Sequence, residues 1–295
     1  MEKQFLRLFP NATLSYNLRD DLVARVSAYR SVGRPDFNQY AGGVTLPNIE
    51  EIPSQANRIV VNNAGIKAWS ADTLSLRLEY YFAGVGQLSL AGWRRDTKDF
   101  FGATRFEATP AFLELYGLDP ALYDAYDVET QYNVPGTVRM EGSSLNYKQA
   151  LAFLPRWARG VQVFANASAQ RVLSDATADF AGYIPRSGSW GVSLTREKYN
   201  FRVNWNYRGR QRQAPVAEST SIGPGTFTWG SKRLYVDVLG EYYFWKRVGL
   251  FVNLRNVGNA TEDTEVAGPL TPAHAQFRLR IDYASLWTIG LKGTF

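Results

Sequence analysis

The stretch Ser285–Phe295, SLWTIGLKGTF, decides how the rest of the chain is read. As an extended strand it puts Trp287, Ile289, Leu291, Gly293 and Phe295 on one side and Thr288, Gly290, Lys292 and Thr294 on the other. Alternation with a period of two marks a strand with one apolar and one polar face. The period alone does not say whether the apolar face meets a protein core or lipid.

The same alternation recurs throughout. Leu74, Leu76, Leu78, Tyr80 and Phe82 oppose Thr73, Ser75, Arg77 and Glu79, and Phe201, Val203, Trp205 and Tyr207 oppose Arg202, Asn204, Asn206 and Arg208. Eleven strands are expected, at 11–18, 22–34, 71–83, 87–101, 136–149, 160–172, 184–196, 199–210, 229–244, 248–257 and 274–295. The phase slips near Gly92 and again around Gly142, which predicts bulges at both.

Between these strands, short and long connections alternate. Arg19 to Asp21, Gly84 to Gly86, Glu197 to Lys198 and Trp245 to Arg247 are tight, and Ala150 to Arg159 is intermediate. Pro35 to Ser70, Gly102 to Pro135, Leu173 to Tyr183, Gln211 to Thr228 and Gly258 to Ala273 are long. In an antiparallel meander this gives one rim of tight turns and one of long loops, as in transmembrane β-barrels.

A soluble β-sandwich shares the period but not the other features. The strands commonly reach ten residues or more, which suits a tilted span of a ~25 Å apolar band better than sandwich strands of ~5–6 residues. Aromatics gather at the short-turn ends (Tyr80, Tyr81 and Phe82; Tyr242 to Trp245; Phe153, Trp157 and Phe295), as an interfacial girdle would. The opposite face, rich in Arg, Asn, Glu and Ser, suits a wet lumen better than a closed core. On this reading Leu74, Leu76, Leu78, Val236, Val238, Leu250, Val252, Ile289 and Leu291 point outward to lipid.

Composition removes other classes. The 295 residues carry no cysteine and one histidine, His274, which excludes disulfides, thiol catalysis and a His-rich metal centre. No segment approaches the ~18 consecutive apolar residues of a membrane helix. MEKQFLRLFP at the start has no apolar run of signal-peptide length. The net charge is +6, but Lys and Arg are scattered without a basic patch, so no nucleic-acid partner is expected. Nor is any cofactor.

Several segments resemble the TonB-dependent receptors of the bacterial outer membrane, in the C-terminal half of their barrel. Leu8 to Phe37 is similar to a strand pair ending in Ser-x-x-Arg-Pro, here Ser31, Arg34 and Pro35. Leu74 to Phe101 resembles the following hairpin through Glu79, Tyr80, Tyr81, Phe82 and Gly86. Tyr235 to Asn259 resembles the penultimate hairpin, ending in Asn256 and Asn259, and GLKGTF resembles the aromatic-ended signal read by the barrel assembly machinery. Where the family commonly has Asn-Pro-x-Leu-Lys-Pro, this chain has Asn63 to Ala68 with neither proline.

The resemblance implies one unit over 1–295, the open second half of a 22-stranded barrel, without the plug domain or signal peptide. It further implies an outer-membrane receptor for a siderophore, cobalamin or glycan, in contact with outer-membrane lipid and not an enzyme. Energy would come from the TonB complex through an N-terminal region outside this sequence, and assembly would use the strand ending at Phe295. A passive porin-like channel or a barrel enzyme is the alternative.

Ligand-contacting residues are sought in the loop Ala108 to Asn133. Thr109-Pro110 and Asp119-Pro120 predict two helix starts and Gly117 a stop. From Arg105 to Asn133 six acids face one cation, interleaved with Tyr116, Tyr123, Tyr126 and Tyr132. Tyr116, Tyr123, Tyr126, Asp127 and Tyr132, with Arg34 at the mouth, are the candidate ligand contacts; the same aromatics could instead pack the loop's own small core. Pro35 could equally be a simple strand stop. The Gly-rich Gly223 to Phe227 lacks the following helix that a phosphate loop requires.

Overall fold

The computed structural model describes residues 8–37, 41–54, 57–82, 86–156, 158–173, 183–216, 222–223 and 225–293. The expected turn residue Gly84, the girdle residues Trp157 and Phe295, and the interior of the Leu173 to Tyr183 connection lie outside the described residues.

The chain opens with β1 (Asn11–Arg19) and β2 (Leu22–Gly33), followed by the short β3 (Val44–Thr45) and β4 (Ile59–Val61) and the long β5 (Trp69–Phe82) and β6 (Gly86–Lys98). Next come β7 (Phe101–Glu107), helices at Pro110–Leu115 and Pro120–Tyr123, and β8 (Asp127–Asn133). β9 (Thr137–Ala150), β10 (Val161–Val172), β11 (Arg186–Thr195) and β12 (Tyr199–Arg208) follow. The remainder is β13 (Gln211–Pro215), β14 (Phe227–Gly230), β15 (Arg233–Trp245), β16 (Val248–Arg255), β17 (Glu262–Ala267), a 3-10 turn at Ala273–Ala275, β18 (Phe277–Ile281) and β19 (Leu286–Gly293).

Eleven strands form one antiparallel sheet in the order β1-β2-β5-β6-β9-β10-β11-β12-β15-β16-β19, the expected meander of sequence neighbours. The sheet is unclosed: β1 and β19 each have one hydrogen-bonded neighbour among the described residues. Its apolar face is open to the surroundings, with Leu76 55%, Ile289 63% and Leu291 71% exposed, while Val236, Val238 and Val252 are half-buried between neighbouring side chains. The two buried apolar clusters lie beyond the wall, one in the long-loop region and one, around Val134 and Val138, at its junction with β9.

The strand reading needs four corrections. First, the pairing runs without a shift through Leu76↔Gly92, Trp93↔Gly142 and Gly142↔Gln170, so neither predicted bulge exists. The hydrophobic phase changes because Trp93 lies on the polar face and Arg94 on the other, beyond the end of the apolar stretch. The Trp93 ring lies over Gly142, where an added Cβ would come within 2.6 Å of it. Trp69 over Gly33, Phe164 over Gly191 and Phe251 over Gly290 repeat this cross-strand pairing of polar-face aromatic and glycine. Register shifts occur instead at Asn17/Arg19 and Tyr243/Trp245, beside tight turns.

Second, the strand expected at 274–295 is broken into β18 and β19. Ala284 takes φ 55°, and the Asp282 carboxylate accepts a hydrogen bond from its N–H at 2.9 Å, a local turn that ends one sheet and starts another. Third, the strand expected at 87–101 ends at Lys98, because Asp99 takes φ 56° and hands the chain to β7. The strands expected at 199–210 and 229–244 are likewise divided, β12 from β13 at Gly209 and β14 from β15 at Ser231-Lys232. Fourth, the long connections are folded. β13-β14-β17-β18 and β3-β4-β8-β7 form two small sheets, and in the second β4 and β8 pair parallel, an exception to the antiparallel rule.

Asn256 anchors the end of β16. It takes φ 52°, its N–H donates to Asp237 Oδ1 at 3.0 Å, and its buried amide donates to the carbonyls of Ala260 and Ala284 at 3.1 Å each. Asn tolerates the left-handed region, and no aliphatic side chain can replace those donors.

Three substitutions test this wall. Gly142→Val should destabilise the assembled protein by about 1–3 kcal/mol through overpacking against Trp93, whereas Gly92→Ala, with open space at its Cβ, should change little. Asn256→Ala should cost about 1–3 kcal/mol by stranding buried carbonyls. The temperature at which folded protein loses its compact electrophoretic mobility measures all three.

Candidate functional site: the long-loop rim

In the loop between β6 and β9, Thr109 caps its helix by accepting from Phe112 N–H at 3.3 Å, and Asp119 caps the second by accepting from Ala121 N–H at 2.9 Å. Proline occupies the first helical position in both, and Gly117 turns the chain at φ 68°. The sequence pattern of caps and stop is the one the loop adopts.

The tyrosines divide by surroundings. Tyr126 is 5% exposed among Ile59, Val61, Leu113 and Val128, with Tyr123 packed on this cluster. Its hydroxyl donates to the carbonyls of Asn48 and Glu51 at 3.2 and 3.0 Å. Tyr132 packs on Val134 and Val138 at the base of the loop. Tyr116 packs against Phe112 at 4.8 Å between centroids, the rings tilted by 43°, and remains exposed. Asp127 is half-buried opposite Glu107, and Arg34 is exposed just past β2, beside buried Pro35. Thus Tyr123 and Tyr126 come together inside a small core, while Arg34 belongs to a different connection.

Two cations hold this sheet from beneath. Arg58 and Arg105 each place Nε 2.7 Å from Glu129 Oε2. Burial pushes the Glu129 carboxyl up, but the hydrogen bonds and charges of the two guanidiniums outweigh it and leave the group below its ordinary value.

A second cluster was not singled out by sequence reading. Arg208 and Arg233 are register partners on the polar face, and both reach Glu262, Arg208 at 3.2 Å. Arg210 lies 2.7 Å from Glu265 and 4.4 Å above the Trp229 ring; Arg212 lies 4.6 Å above Phe227. Three arginines therefore meet two glutamates, with Arg212 over an aromatic ring beside them, and the Nε groups of Arg208 and Arg210 are buried with no hydrogen-bond acceptor among the described residues. Arg212 and Trp229 also line a cavity of about 820 Å³ with Gln170, Tyr183 and Arg186. The Tyr183 hydroxyl donates to the Gln170 carbonyl, and burial pushes its pKa up. The spacing Arg208, Arg210, Arg212 was the available signal; reading Gln211 to Thr228 as plain loop concealed it.

The arrangement offers guanidinium donors and aromatic faces beside an open cavity. Among the described residues no group of three or more His, Cys, Asp or Glu gathers to hold a metal ion.

A family model described as TonB dependent receptor-like, beta-barrel, matches residues 3–292. A mutant ferric enterobactin receptor (PfeA) of Pseudomonas aeruginosa, solved with enterobactin, is similar at 13% identity and a TM-score of 0.64, over 97% of this chain and 40% of its own. The FrpB iron transporter of Neisseria meningitidis gives 11% and 0.62 over 98% and 39%, and the siderophore receptor PirA of Acinetobacter baumannii 13% and 0.62 over 97% and 41%. At these identities the likeness is one of fold, and the chain spans about two fifths of each solved receptor. No curated protein matches it.

Because the folded Glu129 carboxyl sits below its unfolded value, its contribution is full above the ordinary carboxylate range and is lost as pH falls through the folded value. Protease cleavage between Asn48 and Asp127 should therefore accelerate below about pH 4. Glu129→Gln should make the loop more cleavable at neutral pH and flatten the dependence.

Proposed function

This chain belongs to the TonB-dependent receptor-like β-barrel family and lies in the bacterial outer membrane; from that premise we propose that it serves in a receptor that takes up an anionic iron chelate. Binding energy and energy coupling, rather than bond chemistry, do the work. Among siderophore, cobalamin and glycan, the siderophore reading is supported by one observation above all: buried guanidinium donors without acceptors, on Arg208 and Arg210, beside the cavity lined by Arg212 and Trp229. Glu262 and Glu265 pair these two guanidiniums, but a buried N–H donor left without an acceptor is still costly, and an anionic ligand would supply one.

The relatives fit this chemistry, being described as a ferric enterobactin receptor, an iron transporter and a siderophore receptor. In this proposal Tyr116, exposed on the rim, makes first contact, with Asp127 and Arg34 bordering the entrance. Tyr123, Tyr126 and Tyr132 act by holding the loop's shape. Residues 1–295 act as one barrel unit, and transport depends on the TonB complex acting through a region outside this sequence.

The test is uptake of radioactive iron by iron-starved cells, using a ferric catecholate and a neutral ferric chelate. Arg210→Gln with Arg212→Gln should lower catecholate binding on the order of tenfold or more, the scale of one lost charge-assisted contact. Deleting TonB should abolish uptake while leaving binding intact. Equal use of both chelates by the wild type would refute the anion reading.

A further inference from the structure

Elsewhere on the polar face the charged groups answer one another. Arg25 lies 3.2 Å from Glu79, Lys292 lies 2.8 Å from Glu241, and Arg95 donates to the Thr73 hydroxyl at 3.3 Å. One zone differs. It lies towards the tight-turn ends of β9 to β12, where Lys148 and Arg202 have no carboxylate partner among the described residues. Gln87, Asn146, Gln162 and Ser193 beside them likewise make no side-chain hydrogen bond among the described residues.

Strand register gives this zone a centre. Phe164 is paired with Lys148 on β9 and with Gly191 on β11, and the glycine makes room for the ring, since an added Cβ would stand 2.5 Å from it. Gln162 and Asn166, two positions away on either side, share the face of Phe164. Across the ladders Asn146 pairs with Asn166, and Ser193 with both Gln162 and Arg202. One half-buried aromatic ring is thus surrounded by amides, a hydroxyl and two cations. They line a cavity of about 450 Å³ with no Asp or Glu in its wall, within the ~300–1,000 Å³ usual for small-molecule sites. Beside the ring, Asn204 Oδ1 is buried without a donor among the described residues, 2.8 Å from the same added Cβ on Gly191.

We propose that this cavity binds an acidic sugar, its pyranose ring against Phe164, its hydroxyls on Asn146, Asn166 and Lys148, and its carboxylate on Arg202. The mixture of side chains selects this class. The C–H face of a pyranose is apolar and slightly positive, which suits the negative face of an aromatic ring. An amide offers a donor and an acceptor together, matching a hydroxyl that acts as both. A bare anion would leave the amides and Phe164 unused, whereas a neutral sugar would leave a guanidinium fork unmatched in a wall without carboxylates. No residue is shared with the Arg212–Trp229 cavity, so the inference goes beyond the chelate reading and does not rest on it.

The test titrates the whole receptor, purified in detergent from the outer membrane, with methyl β-D-glucuronoside and methyl β-D-glucoside, which differ only at carbon 6. Saturation-transfer NMR reads the binding. The glucuronoside should bind on the order of tenfold more tightly. Arg202→Gln should bring the two sugars to equality, and Phe164→Ala should weaken both by about tenfold while keeping the preference. Equal affinity of the wild type for both sugars, or no measurable binding of either, would overturn the proposal whether or not the variants assemble. So would a folded Phe164→Ala protein with undiminished affinity. Displacement of the glucuronoside by equimolar acetate would do the same, by showing a carboxylate site in which the sugar ring has no part. Neither iron nor chelate enters the assay, so its outcome is separate from that of the uptake experiment.

Discussion

In hydrocarbon every backbone N–H and C=O must find a partner within the protein, and the rest of this structure depends on that requirement. The eleven-stranded sheet meets it across its whole interior, each strand pairing with its sequence neighbour on both sides. Only β1 and β19 carry a free edge among the described residues. Continuous pairing also explains how aromatics are carried on the polar face. At Trp69, Trp93, Phe164 and Phe251 a glycine in the next strand makes room for the ring, so bulk is accommodated without interrupting the ladder.

Outside the hydrocarbon the requirement relaxes, and the chain behaves differently. Positive-φ residues at Asp99, Asn256 and Ala284 turn strands out of the wall into two small sheets. One of these builds a compact core around Ile59, Leu113, Tyr126 and Val128, resting on the Arg58–Glu129–Arg105 cluster. The other brings Arg210, Arg212, Trp229 and Glu265 together over the cavity. The cluster of arginines, aromatics and glutamates thus sits on the ends of the wall strands and on the elements that leave them.

Two sets of arginines illustrate how the faces are used. Arg208 and Arg233 belong to the polar face and are drawn in on Glu262. Arg30, Arg94 and Arg139 belong to the opposite face and spread over Asp72 and Asp96 with much of their surface open. The residue type is the same; the parity of the position within its strand decides which environment it meets.

The sequence by itself determined the wall: strand number, neighbour order, the faces of nearly every strand and the alternation of tight and long connections. These follow from a period of two and from turn lengths, both local properties of the chain. The caps at Thr109 and Asp119 were legible for the same reason. What only the tertiary structure decided was where each strand leaves the wall and what the excursions bring together. The parallel pairing of β4 with β8, the burial of Tyr126, and the gathering of Arg210 and Arg212 with Glu265 join residues some fifty to eighty positions apart. Such contacts depend on the closure of long loops, and no local period records them.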